Sequence, residues 1–460
     1  MNETPKSNTA GVQKGQTLQL RCEGCNSQGA GIAQVEGHVE VALTRALPGD
    51  QVLAQIDHVS PHTKAGVRHA WGHVLAVQTP GPHHVEPFCP KFGSCGGCLW
   101  QHMAYKEQLL QKAKFVTEAF AQRGLEGAVV ACVPSPVTRA YRNQAKYVVD
   151  AKAHPVRLGG YAPRSHTVVD LVDCALVETP ITNLINSFKA QFSKHVINDV
   201  RHVVVRANAL GQTLLTLVVR SESSVSSPVI VALAHQLVND VAGLAGVVAN
   251  INSDDGDVIF GDRDIVVYGN ATIADEIAGV AVQLSPRAFF QVNRHVAHLA
   301  YEAIAGFAAT FRYPTVVWDV YAGVGTIAQV VAARVPSVTS VYCVEVRATA
   351  VESARAAWKD KDGVQFVAVA ADAANALDGS IANPDLVVLN PPRAGCDARV
   401  LQQVAARAPA GIAYLSCNPQ TLARDLKVLV AGGYHMADTV PYDMMPHTPH
   451  VETLVTLRRV

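Results

Sequence analysis

TVVWDVYAGVGT (residues 315–326) is the stretch whose reading decides the fold. It opens as an apolar, β-branched run suited to a buried strand, turns through glycines at 323 and 325, and leads into a helix. The pattern then recurs. SVYCVEV (340–346), VQFVAVAAD (364–372), DLVVLNPPR (385–393) and GIAYLSCNP (411–419) each read as a buried strand followed by a helix. Such alternation, beginning at about Pro314, predicts an α/β fold whose C-terminal part is a doubly wound parallel sheet.

Ligands of such sheets bind outside the carboxyl ends of the strands. Gly323 and Gly325 let the backbone approach a ligand closely, and Glu345 ends the next strand where it can hold ribose hydroxyls. Asp372 ends the strand after that. A dinucleotide would ask for a third glycine beside its pyrophosphate, and Ile327–Ala328 supply none. Adenosine without a pyrophosphate fits better, which points to S-adenosylmethionine (SAM); the plain alternative is a tight turn. Asn390 ends the fourth strand ahead of Pro391-Pro392-Arg393. It is either a strand stopped by prolines or a donor–acceptor pair for reading a base edge.

Cys417 ends the fifth strand, and a helix with Pro419 in its first turn follows. Helix-end amides and Arg424 are expected to favour its thiolate. The competing reading is a small core cysteine, the fate expected of Cys343 and Cys396. MMPHTPHVETL (444–454) gathers His447, His450 and Glu452 before the last strand. A metal site there is disfavoured, because the prolines spoil helical ligand geometry. A cysteine with a carboxylate suits another chemistry. Uracil C5 is a poor nucleophile until a thiolate adds to C6, and a base must afterwards take the C5 proton. Cys417 and Glu452 match those two roles.

The 460 residues call for two to four domains. Residues 10–78 read as short strands with turns at Gly29–Gly31, Gly37 and Pro48–Asp50, and residues 31–56 look like part of a five-stranded barrel of the oligonucleotide-binding type. TPGPHHVEP (79–87) is a linker. A central domain, 79–282, begins with a helix from about His102 to Arg123 carrying Leu109, Leu110, Ala113, Val116 and Phe120 at helical spacing. From about Val137 it is strand-rich, with SESSVSSP (221–228) as an exposed loop. Residues 283–460 form the last domain. Cys89-x5-Cys95-x2-Cys98, with Cys174 as a candidate fourth ligand, is compatible with zinc, with an iron–sulfur cluster or with no metal. It lacks the C-x3-C-x2-C spacing of radical chemistry. Cys22 and Cys25 read as ordinary strand residues. TRAYRNQAKY (138–147) mixes Arg139, Arg142 and Lys146 with Tyr141 and Tyr147, and Lys64, Arg68, His69 and Trp71 make a similar set. Both suit phosphates and base stacking.

Thirty-eight basic and thirty-eight acidic residues cancel, so any nucleic-acid contact must come from local patches. Ten cysteines do not make a secreted disulfide scaffold in a chain this long. No apolar run approaches the ~20 residues of a membrane span, and MNETPKSNTAGVQKGQ is too polar for a signal peptide. A cytoplasmic monomer without membrane contact is the expectation.

At these motifs the chain resembles the RNA 5-methyluridine methyltransferases, most of all the bacterial 23S ribosomal RNA (uracil-5-)-methyltransferases that carry a TRAM domain and an iron–sulfur cluster. SCNPQTLARD, PHTPHVETL, SPRAFFQVN (285–293), DVYAGVGT and CPKFGSCGGC (89–98) carry the resemblance, which covers nearly the whole chain. It implies a Rossmann-like SAM-dependent catalytic domain, a TRAM barrel over 10–78 and a 4Fe–4S cluster on Cys89, Cys95, Cys98 and Cys174. It implies Cys417 as nucleophile and Glu452 as base, with Gln291, Tyr321, Thr326, Glu345, Asp372 and Asn390 around the cofactor. RNA, 23S ribosomal RNA in particular, is the implied partner. One position departs: the family usually has Asp where this chain has Asn390, which keeps hydrogen bonding and loses a charge. Three other activities compete. They are uridine methylation of transfer RNA, amino-group methylation (which Asn-Pro-Pro also serves, though an aromatic residue usually follows it there), and RNA binding without catalysis.

Overall fold

The strands foreseen in the C-terminal region assemble into one seven-stranded sheet. Its order is Gln365–Ala370, Ser340–Glu345, Val316–Val320, Leu386–Leu389, Gly411–Ser416, Glu452–Arg459, Tyr434–Tyr442. The first five run parallel. Those five are the strands the sequence pattern expects, parallel as expected; Glu452–Arg459 adds to them antiparallel to both of its neighbours. After Tyr434–Tyr442 the chain returns without a crossover helix and inserts Glu452–Arg459 beside Gly411–Ser416, so the pairing must reverse direction. Every residue of Gly411–Ser416 is buried, as befits a strand covered on both faces. One face packs on helices Arg294–Ala309 and Thr326–Arg334 through Val296, Ile304, Ile327 and Val331. The other packs on Ala398–Arg407 and Pro419–Ala431 through Val400, Val404, Leu422 and Leu426. Strand order reverses between Val316–Val320 and Leu386–Leu389, so the ligand crevice opens where Tyr321 and Asn390 follow those strands.

The computed structural model describes residues 12–35, 38–193, 199–312, 315–358, 363–377 and 381–460. Gly37, Pro314 and positions 10 and 11 lie outside the described residues. The described chain divides into two compact units. One takes the residues up to Gly93 with 97–115 and 447–450, and the other takes 94–96, 116–446 and 451–460.

The second unit also holds a mixed seven-stranded central sheet, ordered Arg263–Gly269, Leu244–Ile251, Thr213–Val219, Val200–Ala207, Gln144–Asp150, Arg157–Tyr161, Val168–Asp170. Two helices that the sequence pattern did not announce, Thr179–Phe192 and Pro228–Asp240, cover one of its faces. Their signal was present: Ile181, Leu184, Ile185, Phe188 and Phe192 repeat at helical spacing, and all are buried. SESSVSSP is not simply an exposed loop, since Glu222–Val225 is a helical turn with Ser224 and Val225 buried.

In the first unit six strands, rather than five, form a sheet ordered Thr17–Arg21, Gln51–Lys64, Val67–Thr79, Val39–Thr44, Gly31–Val35, Gly24–Cys25. The extra member is a two-residue edge. The expected helix spans Tyr105–Ala121, and Leu110 is 56% exposed, while Gln108 and Lys112 are buried. Gln108 explains the inversion: its side-chain nitrogen donates to the Trp100 and Met103 carbonyls, and its oxygen accepts from the His447 amide. Hydrogen bonds, not apolar burial, fix that end of the helix.

Candidate active site

The turn after Val316–Val320 is conformationally demanding. Tyr321, Gly323 and Gly325 all take positive φ, at 65°, 57° and 72°. Glycine relieves two of them; Tyr321 bears its conformation as a side-chain-bearing residue. A Cβ on Gly323 would meet nothing within 4 Å, so the turn faces open space. Gly325 caps the helix whose first residue is the buried Thr326. Glu345 is aimed by the backbone: one carboxylate oxygen accepts from the Gly323 amide (3.1 Å) and the other from the Arg347 amide (2.9 Å). A fixed, half-buried carboxylate beside an open glycine turn has the chemistry to hold ribose hydroxyls. Asp372 is exposed and caps the short helix Ala373–Ala376 through the Ala374 amide. Asn390 is half-buried, its backbone amide donating to the Val320 carbonyl across the switch point at 3.3 Å. Gln291 is buried, and its carbonyl accepts from the Asn143 side chain at 2.9 Å.

Asp319 was not among the expected site residues, although an acid inside a buried strand was a visible signal. It is fully buried, with Oδ2 accepting from the Ala328 amide at 3.1 Å and Oδ1 without a partner among the described residues. Burial pushes its carboxyl up to about 7.

Strand pairing brings Cys417 and Glu452 near each other. Ser416, the last residue of its strand, pairs with Thr453, so Cys417 and Glu452 lie just beyond that last pair, near enough for the Glu452 carboxylate to act on the thiol. Cys417 is half-buried and Glu452 is 4% exposed. Burial lifts the Glu452 carboxyl to about 8, opposed by the Arg393 guanidinium. The expectation of a thiolate-favouring environment at Cys417 is corrected. Burial and then the Glu452 carboxylate push its thiol above the ordinary value, and Arg393 pulls it back. Arg393, not Arg424, is the cation acting on the thiol. Arg424 is committed elsewhere, to Asp425 (2.8 Å) and the Ala394 carbonyl (2.9 Å).

The loop that carries Arg393 is clamped to helix Pro419–Ala431. Asn418 and Thr421 side chains donate to the Arg393 carbonyl at 3.1 and 3.2 Å. Asp425, 1% exposed, accepts from the Cys396 amide (2.8 Å) and the Tyr414 hydroxyl (2.6 Å). Gly395 permits this approach, since a Cβ there would lie 2.5 Å from the Asp425 carboxylate.

The remaining candidates are dispersed. Cys89 and Cys98 belong to the first unit, Cys95 and Cys174 to the second. None of the four is in a disulfide, and all are half-buried. Among the described residues no three His, Cys, Asp or Glu side chains are grouped to hold a metal ion. His447 and His450 likewise belong to the first unit, and Glu452 to the second. Burial pushes the Cys22 and Cys25 thiols up to about 12. Tyr141 and Tyr147, expected as stacking platforms, are 1% and 3% exposed and serve the interior instead. Trp71, by contrast, is exposed and lies 5.5 Å from the His58 ring. Among the described residues no helix is long and apolar enough to cross a membrane.

This sheet order, glycine turn and neighbouring Cys417 and Glu452 fit a methyltransferase-type α/β domain, and comparison with known proteins agrees. Residues 287–460 match the family described as tRNA (uracil-5-)-methyltransferase. Over 97% of its length the chain is 35% identical to an uncharacterized RNA methyltransferase of Geobacter sulfurreducens, covering 90% of that protein. It is 32% identical to one of Halalkalibacterium halodurans, covering 97% of this chain and 98% of that one. In structure it resembles the tRNA (uracil-54, C5)-methyltransferase of Pyrococcus abyssi, solved with S-adenosyl-L-homocysteine. The TM-score is 0.72 at 23% identity, over 96% of this chain and 100% of that one. The chain belongs to the family of these RNA methyltransferases.

Proposed function

We propose that this enzyme forms 5-methyluridine in 23S ribosomal RNA, with SAM as methyl donor, Cys417 as nucleophile and Glu452 as base. The observation that carries the proposal is the proximity of Cys417, Glu452 and Arg393, whose charges act on one another just beyond the Ser416–Thr453 pair. The Cys417 sulfur adds to C6 of uracil, and the C5–C6 electrons move onto the C4 carbonyl. The thiol releases its proton to solvent, and Arg393 offsets the negative charge left on the sulfur. SAM supplies a methyl group on a sulfonium, and C5 takes it as the C–S bond breaks toward sulfur. Glu452 then removes the C5 proton, and the electrons released expel Cys417. Gln291, Tyr321, Thr326, Glu345, Asp372 and Asn390 are assigned to the cleft that holds cofactor and base. The open space at Gly323 and the oriented Glu345 support that assignment. Asn390 accepts and donates without charge, so base recognition here relies on hydrogen bonds alone.

The proposal gives residues 10–78 an RNA-binding role as a TRAM domain, residues 79–282 that of a central domain and 283–460 that of the catalytic domain. The exposed Trp71 and Lys64 support the first. The enzyme is taken as a cytoplasmic monomer. A 4Fe–4S cluster on Cys89, Cys95, Cys98 and Cys174 has the support of four cysteines outside any disulfide. Their described arrangement does not group them, and no step of the reaction uses a cluster. Thiolate–iron absorbance in anaerobically purified protein tests it. Transfer RNA is the second reading, favoured by the family's description and the Pyrococcus neighbour. Mapping 5-methyluridine in total RNA of a deletion strain tests the function. Loss from one 23S uridine is expected, loss from transfer RNA favours the second reading, and no loss anywhere overturns both.

A further inference from the structure

One face of the central sheet carries charge that methyl transfer does not use. Lys146 pairs with Val204 and Gln144 with Arg206, so Lys146 and Arg206 share a face. That face is opposite the one whose Tyr147, Val203 and Val205 build the core. Arg206 is 2% exposed. Its Nη2 donates to the Ala288 carbonyl at 2.7 Å, while Nε and Nη1 have no partner among the described residues. The adjoining carbonyl, that of Arg287, accepts from Arg347 at 3.3 Å. Two guanidinium groups thus hang on successive carbonyls of the SPRAFFQVN segment, which also carries Gln291. Lys146 is exposed, with Nζ 5.6 Å from the centre of the Phe260 ring.

The nearby acids are already engaged. Asp275, which faces Arg206, is held by both oxygens to Arg294 (2.8 and 3.0 Å), and Asp264 is held by Arg287 (3.0 Å). Among the described residues no carboxylate pairs with Lys146, Arg206 or Arg347. Gathering such charges without a counter-ion is unfavourable. Lys146 is exposed as a residue, but partial desolvation of its ammonium, then Arg206, Arg142 and Arg347, hold it below its usual range. An arriving anion would relieve that repulsion.

We propose that this cluster binds a backbone phosphate of the RNA beside the target uridine, Lys146 and Arg347 touching its oxygens and Arg206 adding charge from behind. The inference rests on the family's RNA substrate, but its test needs no turnover. Binding of a single-stranded oligouridylate is measured without SAM over a range of salt. Removing one phosphate-neutralising cation lowers the log–log salt slope on a single strand by ~0.7. Lys146→Ala and Arg347→Gln are each expected to show that drop. Lys427→Ala, which removes an exposed lysine from helix Pro419–Ala431, should keep the wild-type slope. Wild-type slopes in the first two variants would overturn the proposal. So would weakened SAM binding in both with RNA binding intact, which would assign the cluster to the donor's carboxylate. A slope change without 5-methyluridine formation by the wild type would instead count against the methylation reading alone.

Discussion

The parallel and antiparallel halves of the catalytic sheet build their sites by different means. On the parallel side Glu345 is set locally: it ends a strand and is aimed by the amides of Gly323 and Arg347. On the antiparallel side Cys417 and Glu452 follow and open two different strands, and the pairing of Ser416 with Thr453 brings them near each other. The local half leaves its carboxylate half-exposed, while the register half buries Glu452 and lifts its carboxyl to about 8. A site for binding can stay near water. Burial brings a carboxyl toward neutral pH, where a group proposed as a base exchanges its proton most readily.

The largest expected effect lies in the antiparallel half. Cys417→Ala should cut methyl transfer from labelled SAM by at least ~10⁴-fold while SAM binding by calorimetry is retained. Activity surviving that change would favour amino-group methylation. Glu452→Gln should lower single-turnover release of methylated RNA by ~10²–10⁴-fold. In the parallel half, Glu345→Gln should weaken SAM binding by about 10- to 100-fold, the worth of a charge-assisted hydrogen bond. It should do so with Cys417 reactivity toward a thiol reagent preserved.

Smaller effects probe what joins the two halves. Asp425→Ala strands the Tyr414 hydroxyl and Cys396 amide and should cost ~1–3 kcal/mol in denaturant unfolding. Because it frees the loop bearing Arg393, kcat should fall more than SAM affinity. The pH dependence of stability offers the finest distinction. Glu452 is raised in the folded chain from 4.5 to about 8, so the folded state binds the extra proton between those values. Its contribution to stability is full at low pH and is lost as pH rises through about 8. Glu452→Gln should therefore gain stability over wild type as pH climbs from about 5 to about 8; a constant difference would contradict its burial as a neutral acid.

What was legible in the sequence follows the same division. The strands bearing Tyr321, Glu345, Asp372, Asn390 and Cys417 were readable because strand, turn and helix are contiguous. The antiparallel return of Glu452–Arg459 was not, because register is a long-range property. Arg393 and Arg424 look interchangeable as neighbours of Cys417 until Asp425 is seen to engage one of them. Helices Thr179–Phe192 and Pro228–Asp240 were hidden by the strand-rich segments around them. Tyr141 and Tyr147 carry the composition of a stacking surface, and only packing reveals that they face inward.

The central claim is that Cys417 makes the bond to uracil and Glu452 ends it. Mass spectrometry of Glu452→Gln mixed with uridine-containing substrate RNA and SAM tests both at once. The account predicts a stable adduct of methylated uridine on the peptide containing Cys417, absent when Cys417→Ala is added. No adduct, with turnover equal to wild type, would contradict it, as would an adduct on any other cysteine.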